Sequence, residues 1–231
     1  MKIILIRAFK DNYIWAIVDE RDLVVVDPGE SKPVIDFIEE QILNLKAILL
    51  THKHSDHTGG VEELVERYKP TVYGPSETKN LNSNSLSDGD EIEVLNRGFR
   101  VIKSAGHTEE HISYLVEDNL FCGDSLFLAG CGRVFTGEYE EQYRTIQKFK
   151  SLDDGVKVYA AHEYSVTNLN FAREVNPCED VELVMNKVSK LISKDLPSLP
   201  SNIGCERKIN PFFKAKDIVE FKGFRDIRDN F

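Results

Sequence analysis

The chain has 231 residues, of which 41% are hydrophobic and 29% are charged, and its formal net charge is −10. This composition is typical of a globular protein with one large domain, or one domain and a smaller addition. The acidic balance disfavours nucleic acid as a partner, because phosphate attraction needs a basic face. No apolar run approaches the roughly 20 residues that span a bilayer, so we expect no membrane association.

The four cysteines contain no CxxC pair, and we expect them to be reduced in the cytoplasm. The opening residues 1–7 have too short an apolar run for a signal peptide and are predicted to form a strand instead.

Strands and helices are predicted to alternate over the first 164 residues. Strands at 13–18 and 23–26 precede a helix that begins near Ser31. A strand at 47–50 leads into a run of histidines, and Gly59-Gly60 opens the next helix. Further strands are predicted at 71–73, 91–95, 99–104, 112–116, 119–122 and 156–160, with a helix at 138–149.

Helices dominate beyond residue 164. Segments 167–174 and 179–194 have helical patterns, 197–202 is predicted to be a loop, and two short helices are predicted near 214–221 and 222–230. The pattern predicts a mixed α/β domain at residues 1–164, with a C-terminal helical domain at residues 165–231.

The run Thr51-His52-Lys53-His54-Ser55-Asp56-His57 carries the chemistry. His52 and His54 are two residues apart, so in an extended segment their side chains point the same way and can share one metal ion. Asp56 and His57 follow where the chain turns, face a different direction and can hold a second ion. Imidazole nitrogen and carboxylate oxygen are ligands for zinc and similar metals. The run therefore predicts half of a two-metal site.

The remaining ligands are expected just past other strand ends, where functional loops gather. The candidates are His107, Asp124 and His162. His111 is the one histidine outside this set, and we interpret it as a residue that supports a ligand by hydrogen bonding.

Residues 51–60 resemble the THxHxDHxGG signature of the metallo-β-lactamase superfamily. Within it, the whole chain is similar to the glyoxalase II, or hydroxyacylglutathione hydrolase, family. The stretches that carry this likeness are 9–15, 106–112, 123–133, 162–164, 210–212 and 224–231. The resemblance implies an αββα four-layer sandwich, with a C-terminal helical domain that binds substrate.

By this resemblance, His52, His54 and His107 would hold one ion, Asp56, His57 and His162 would hold the other, and Asp124 would bridge them. The ions would be divalent, with zinc favoured and iron or manganese as alternatives.

The implied reaction is hydrolysis of the thioester S-D-lactoylglutathione to D-lactate and glutathione, the second step of methylglyoxal detoxification. The enzyme would be a cytoplasmic monomer. A hydroxide bridging the ions would attack the thioester carbonyl. Asp56 would orient or deprotonate it, or would serve as a ligand only.

Four residues would bind substrate by the same resemblance: Arg133, Tyr164, Arg225 and Arg228. The family places cations at the last two positions to grip the glycine carboxylate of glutathione. Family members usually carry lysine where Arg133 and Arg228 stand, and often tyrosine where Phe135 stands. Loss of that hydroxyl predicts weaker binding. The acids Glu109 and Glu110 replace small residues and are expected to face solvent.

The alternatives are other enzymes of the same fold, such as a lactonase, a β-lactamase, a nuclease or a persulfide dioxygenase. A lactonase has no need of the Arg225 and Arg228 pair, and a nuclease would show a basic surface. The dioxygenase uses one iron held by two histidines and one aspartate, whereas this sequence has a complete two-metal set. The intact set also disfavours a non-catalytic binding module.

Overall fold

The computed structural model describes all 231 residues, which form two compact units. The first unit comprises Met1–Lys103 and Glu109–Glu117, and the second comprises Ser104–Thr108 and Asp118–Phe231. Both contain helices and strands, which confirms the predicted α/β class. The division at residue 164 concerns a different boundary and stays a prediction.

The first unit contains nine strands and three helices. The strands are β1 (Lys2–Ala8), β2 (Asn12–Asp19), β3 (Asp22–Val26), β4 (Asn44–Leu49), β5 (Thr71–Gly74), β6 (Asn84–Ser85), β7 (Glu91–Val94), β8 (Arg97–Lys103) and β9 (Ile112–Val116). The helices are α1 (Ser31–Gln41), α2 (Ser55–Thr58) and α3 (Val61–Tyr68), and a 3₁₀ turn spans Ser76–Thr78.

Strands β1 to β6 form one mixed sheet in sequence order. The pairs β1–β2 and β2–β3 are antiparallel, whereas β3–β4, β4–β5 and β5–β6 are parallel. Apolar side chains of this sheet pack with buried residues of α1 and α3, such as Val34, Ile38 and Leu64, in one hydrophobic core. Strands β7, β8 and β9 pair antiparallel in order.

The parallel pairing explains why polar residues converge at one edge of the first sheet. Val26 of β3 lies opposite Leu49 of β4, so the carboxyl ends of these neighbouring strands are level. The residues that follow them, Asp27 and the run that begins at Thr51, therefore emerge side by side.

The second unit contains three strands and six helices. The strands are β10 (Asn119–Gly123), β11 (Lys157–Ala160) and β12 (Ser201–Asn202). The helices are α4 (Tyr139–Lys150), α5 (Ser165–Val175), α6 (Glu179–Ile192), α7 (Ile203–Ile209), α8 (Pro211–Lys214) and α9 (Ile218–Asp229). Strand β11 pairs parallel with β10 and antiparallel with β12, and Gly123 lies opposite Ala160.

The C-terminal region departs from the predicted elements. The expectation of two short helices near 214–221 and 222–230 is wrong, because α9 is continuous across that boundary and is capped by the Asp217 side chain, which accepts from Glu220 N at 2.9 Å. Helices α7 and α8 were not predicted. The helix expected at Gly59-Gly60 begins at Val61 and is preceded by α2. None of the helices has the length and apolar character that crossing a bilayer requires.

Candidate functional site

The predicted ligands of the first unit, His52, His54, Asp56 and His57, are called here the first donor group. His52 and His57 are buried, and their ring centroids are 4.1 Å apart. His52 Nε2 lies 3.0 Å from His54 Nδ1. These distances place the imidazoles of the run side by side, and the assignment of His52 and His54 to one ion and of His57 to another stays a prediction. Asp56 and His57 lie on the short helix α2, which turns them away from the extended segment before it.

Asp27 organises this group, although it was not among the ligands predicted from the sequence. Its Oδ2 accepts from Thr51 Oγ1 at 2.6 Å and lies 3.0 Å from His57 Nδ1, and its Oδ1 accepts from Thr51 N at 2.8 Å. It is 4% exposed and has φ of +52°, in the left-handed region that non-glycine residues rarely adopt. The signal that the sequence offered was an acidic residue directly after an apolar strand, which is also the position of Asp124.

The hydrogen bonds of Asp27 fix which nitrogens face the metal-ligating side. A carboxylate only accepts, so His57 Nδ1 must donate to it, and the lone pair of a neutral ring then sits on Nε2. Thr51 Oγ1 donates to Asp27 and lies 3.0 Å from His52 Nδ1, so it can accept from that nitrogen. Acceptor nitrogens oriented by such outer partners are what a divalent metal requires.

The fourth member, Asp56, combines a polar partner with access to solvent. Asn12 Nδ2 donates to Asp56 Oδ2 at 3.0 Å, and the same oxygen lies 3.5 Å from His57 Nε2. Its side chain is 42% exposed. His111, predicted to support a ligand, is fully buried and stacks on His52 with centroids 4.8 Å apart and planes 22° apart.

The predicted ligands of the second unit, His107, Asp124 and His162, form the second donor group. Asp124 follows β10 and His162 follows β11, which are parallel neighbours, so their side chains meet at one edge. Asp124 Oδ2 lies 3.3 Å from His107 Nε2, and Asp124 Oδ1 lies 3.4 Å from His162 Nε2. One carboxylate thus presents a different oxygen to each imidazole.

The chemistry of the second donor group fits a cation. His107 Nδ1 lies 2.9 Å from the carbonyl oxygen of Arg133, which only accepts, so Nδ1 is the protonated nitrogen of a neutral ring. Nε2 then points a lone pair at Asp124. Two acceptors at this distance repel unless a cation or proton lies between them. Gly132 permits this close packing, since a Cβ there would lie 2.0 Å from Asp124 O and 2.9 Å from His107 Nδ1.

The predicted substrate-binding residues occupy different environments within the second unit. Tyr164 stacks on His162, with ring centroids 4.7 Å apart and planes 7° apart. The Arg133 side chain is 51% exposed, its Nε lies 3.3 Å from Asp229 Oδ1, and it lies over the ring of the exposed Phe135. Phe135 in turn contacts the His107 ring edge to face at 5.2 Å.

Arg225 and Arg228 both lie on α9 but are not equivalent. Arg225 is 3% exposed, and its guanidinium donates to Asp229 Oδ1 at 2.7 and 3.0 Å and to Cys131 O at 2.7 Å. Arg228 is partly buried and donates from Nε to Asn168 Oδ1 at 2.9 Å. Burial lowers the pKa of Arg228, and the neighbouring charge of Arg225 lowers it further.

The remaining sequence expectation concerns two acids. Glu109 is exposed, and the Glu110 side chain, which is 46% exposed, pairs with Lys103 Nζ at 3.1 Å.

The comparisons with known proteins agree with this chemistry. The family model described as the metallo-β-lactamase superfamily matches residues 9–162, and the model described as the hydroxyacylglutathione hydrolase C-terminus matches residues 163–231. A hydroxyacylglutathione hydrolase of Glaesserella parasuis is 46% identical over 235 residues, and that of Haemophilus ducreyi is 44% identical over 234 residues. In both cases the whole of each chain is covered.

Solved structures share the fold. The crystal structure of ETHE1 from Myxococcus xanthus has a TM-score of 0.77 at 26% identity, covering 98% of this chain and 90% of that one. TTHA1623 in a di-iron-bound form has a TM-score of 0.66 at 20% identity, covering 92% and 100% of the two chains, and shows the fold alone.

The chain is therefore a hydrolase of the metallo-β-lactamase superfamily, with the fold of that superfamily and a C-terminal helical region. Its clustered histidines and aspartates indicate that it binds divalent metal. Within the superfamily, it belongs to the hydroxyacylglutathione hydrolase family.

Proposed function

We propose that the protein hydrolyses S-D-lactoylglutathione to D-lactate and glutathione, the second step of methylglyoxal detoxification. The observation that carries the proposal is the full-length similarity to hydroxyacylglutathione hydrolases, which includes the C-terminal region named for that family. The active form would be a cytoplasmic monomer. Residues 1–164 would be catalytic and residues 165–231 would bind substrate, a division supported by the separate matches of two family models.

The two donor groups would together hold two divalent ions. His52, His54 and His107 would hold one, and Asp56, His57 and His162 would hold the other, with zinc favoured over iron or manganese. Asp124 would bridge them. Its two carboxylate oxygens face different imidazoles, which supports a bridging role. The ions, when bound, supply Lewis acidity that activates water and polarises the thioester carbonyl.

The reaction joins a water oxygen to the thioester carbonyl carbon and breaks the carbon–sulfur bond. The leaving group is a thiol with a pKa of about 8.5, so the sulfur can leave as a thiolate without a strong general acid. Asp56 would orient the attacking water or accept its proton. The Asn12 amide fixes one Asp56 oxygen, and the exposed part of the carboxylate is open to water, which suits that role.

Arg133, Tyr164, Arg225 and Arg228 would bind the glutathione part of the substrate. Glutathione carries carboxylates, for which guanidinium groups are favourable partners. The exposed Arg133 and the partly buried Arg228 are suited to direct contact. The guanidinium of Arg225 already donates to Asp229 and to Cys131. It would therefore contribute to substrate binding mainly by holding Asp229 and Cys131 in place.

The test is direct hydrolysis of S-D-lactoylglutathione by purified protein, followed as loss of thioester absorbance. Activity that disappears on chelation and returns with divalent metal is the expected result. A fully metal-loaded protein that leaves this thioester intact would contradict the substrate assignment but not the superfamily assignment.

A further inference from the structure

A short segment of the second unit, residues 128–131, is held by buried side chains from the C-terminal helices. Each of its four residues gives one backbone polar group to a different side chain. Leu128 O accepts from Asn168 at 3.1 Å, Ala129 N donates to Glu206 at 2.9 Å, Gly130 O accepts from Asn210 at 3.1 Å, and Cys131 O accepts from Arg225 at 2.7 Å. These four side chains are at most 3% exposed.

Glu206 is the central member of this arrangement. Its Oε2 accepts both from Ala129 N and, at 2.9 Å, from Asn210 Nδ2, so one oxygen joins the segment to the residue that also binds Gly130 O. Ala129 has φ of +54°. For a residue with a Cβ this conformation costs about 1–2 kcal/mol, so it persists only where the surroundings impose it.

The segment leads directly into residues that contact the second donor group. Gly132 packs against the backbone of Asp124 and against the His107 ring. The carbonyl oxygen of Arg133 lies 2.9 Å from His107 Nδ1 and accepts a hydrogen bond from it. Any shift of the Ala129 turn therefore moves both the carbonyl that orients His107 and the side chain of Arg133.

We propose that Glu206 is a positioning residue: by holding the amide of Ala129, it fixes the course of residues 128–133, and hence the orientation of His107 and the position of Arg133. Its relevance to catalysis rests on the proposed function, whereas its structural consequence does not. Glu206 touches neither substrate nor metal in this proposal.

The experiment compares Glu206→Ala, Glu206→Asp and Glu206→Gln with the wild-type protein. Glutamine keeps an acceptor oxygen at the same reach. Aspartate keeps a carboxylate but draws it back by one methylene, and it covers the case in which the alanine variant fails to fold. Val181→Ala is the matched control, because Val181 is a fully buried side chain of α6 that does not belong to the four-residue arrangement.

Amide hydrogen exchange in residues 127–133 of the metal-free protein is the first measurement. We expect at least a tenfold acceleration in Glu206→Ala and Glu206→Asp, exchange no faster than wild type in Glu206→Gln, and wild-type exchange in Val181→Ala. In the metal-loaded enzyme, the first two variants should raise KM for S-D-lactoylglutathione at least fivefold and bind metal less tightly against a chelator. Glutamine should restore both properties.

Equal exchange of this segment in Glu206→Ala, Glu206→Asp and Val181→Ala would overturn the positioning role and leave Glu206 a contributor to stability only. The exchange measurement tests the positioning role separately from the proposed function. Accelerated exchange in a protein that does not hydrolyse the thioester would refute the substrate but keep the positioning role. Thioesterase activity with unchanged exchange would do the reverse.

Discussion

Replacing Glu206 by glutamine tests how burial controls the protonation of this carboxyl. Burial raises the pKa of Glu206 from 4.5 to about 7, against the opposing hydrogen bonds from Asn210 and the Ala129 amide. In the unfolded chain the carboxyl ionises near its ordinary pKa. Between the two pKa values the folded state binds more protons than the unfolded state, so the free energy of unfolding falls as the pH rises. Glutamine does not titrate and removes this contribution.

The magnitude follows from the size of the shift. A difference of about 2.5 pKa units corresponds to about 3 kcal/mol once the pH exceeds both values. Most of this change, about 2 kcal/mol, falls between about pH 5 and about pH 8. Relative to the wild-type protein, Glu206→Gln should therefore gain about 2 kcal/mol of stability over that interval, and the gain should level off above the folded-state pKa.

The assay is urea unfolding of both proteins across this pH range, with each protein stripped of metal. Taking the difference between the two removes the contributions of the histidines and other titrating groups that they share. A difference that stays constant with pH would show that Glu206 ionises normally in the folded protein, and the reasoning from burial would be refuted.

Four further substitutions test the roles of other residues. Asp27→Asn should weaken metal binding by about 10- to 100-fold, because the outer partner of His57 and Thr51 is lost; unchanged affinity in a chelator competition would contradict its role. Arg228→Ala should raise KM with little effect on kcat. Arg225→Ala should lower the free energy of unfolding by about 1–3 kcal/mol, because it leaves the buried carbonyl oxygen of Cys131 without its donor. Equal effects of the two substitutions on KM and on stability would contradict this distinction. Phe135→Tyr should lower KM roughly threefold by adding a hydroxyl that can bond a substrate carboxylate, and a KM that does not fall would show that the hydroxyl position is out of reach.

The first donor group could be predicted from sequence because its geometry is local. His52 and His54 are separated by two residues in an extended segment, and Asp56 and His57 follow within one turn of helix. Asp124 and His162 could also be predicted as strand-end residues, since the apolar runs before them are short and clearly bounded. The spacing of the polar residues and the ends of the apolar runs can both be seen in the sequence itself.

The environments of Asp27 and Arg225 could not be predicted in the same way. Thr51, which donates to Asp27, follows the neighbouring parallel strand β4, and the pairing of two strands cannot be deduced from the local sequence pattern. From its spacing Arg225 would be one of two exposed cations on a helix, yet it is buried, and its guanidinium donates a hydrogen bond to the carbonyl oxygen of Cys131, 94 residues away in sequence. The helix boundaries in the C-terminal region were predicted wrongly for a related reason. Helices α7 and α8 are held by tertiary contacts such as those of Glu206 and Asn210, and their apolar periodicity is weak.

Binuclear thioester hydrolysis is tested most directly by titrating one metal-free preparation with metal. Thioesterase activity is measured at each number of metal equivalents bound. We expect hydrolysis of S-D-lactoylglutathione to rise with added zinc and to level off at two equivalents bound per chain. A plateau at one equivalent would contradict the two-ion assignment. Two equivalents bound without hydrolysis of this thioester would contradict the proposed reaction.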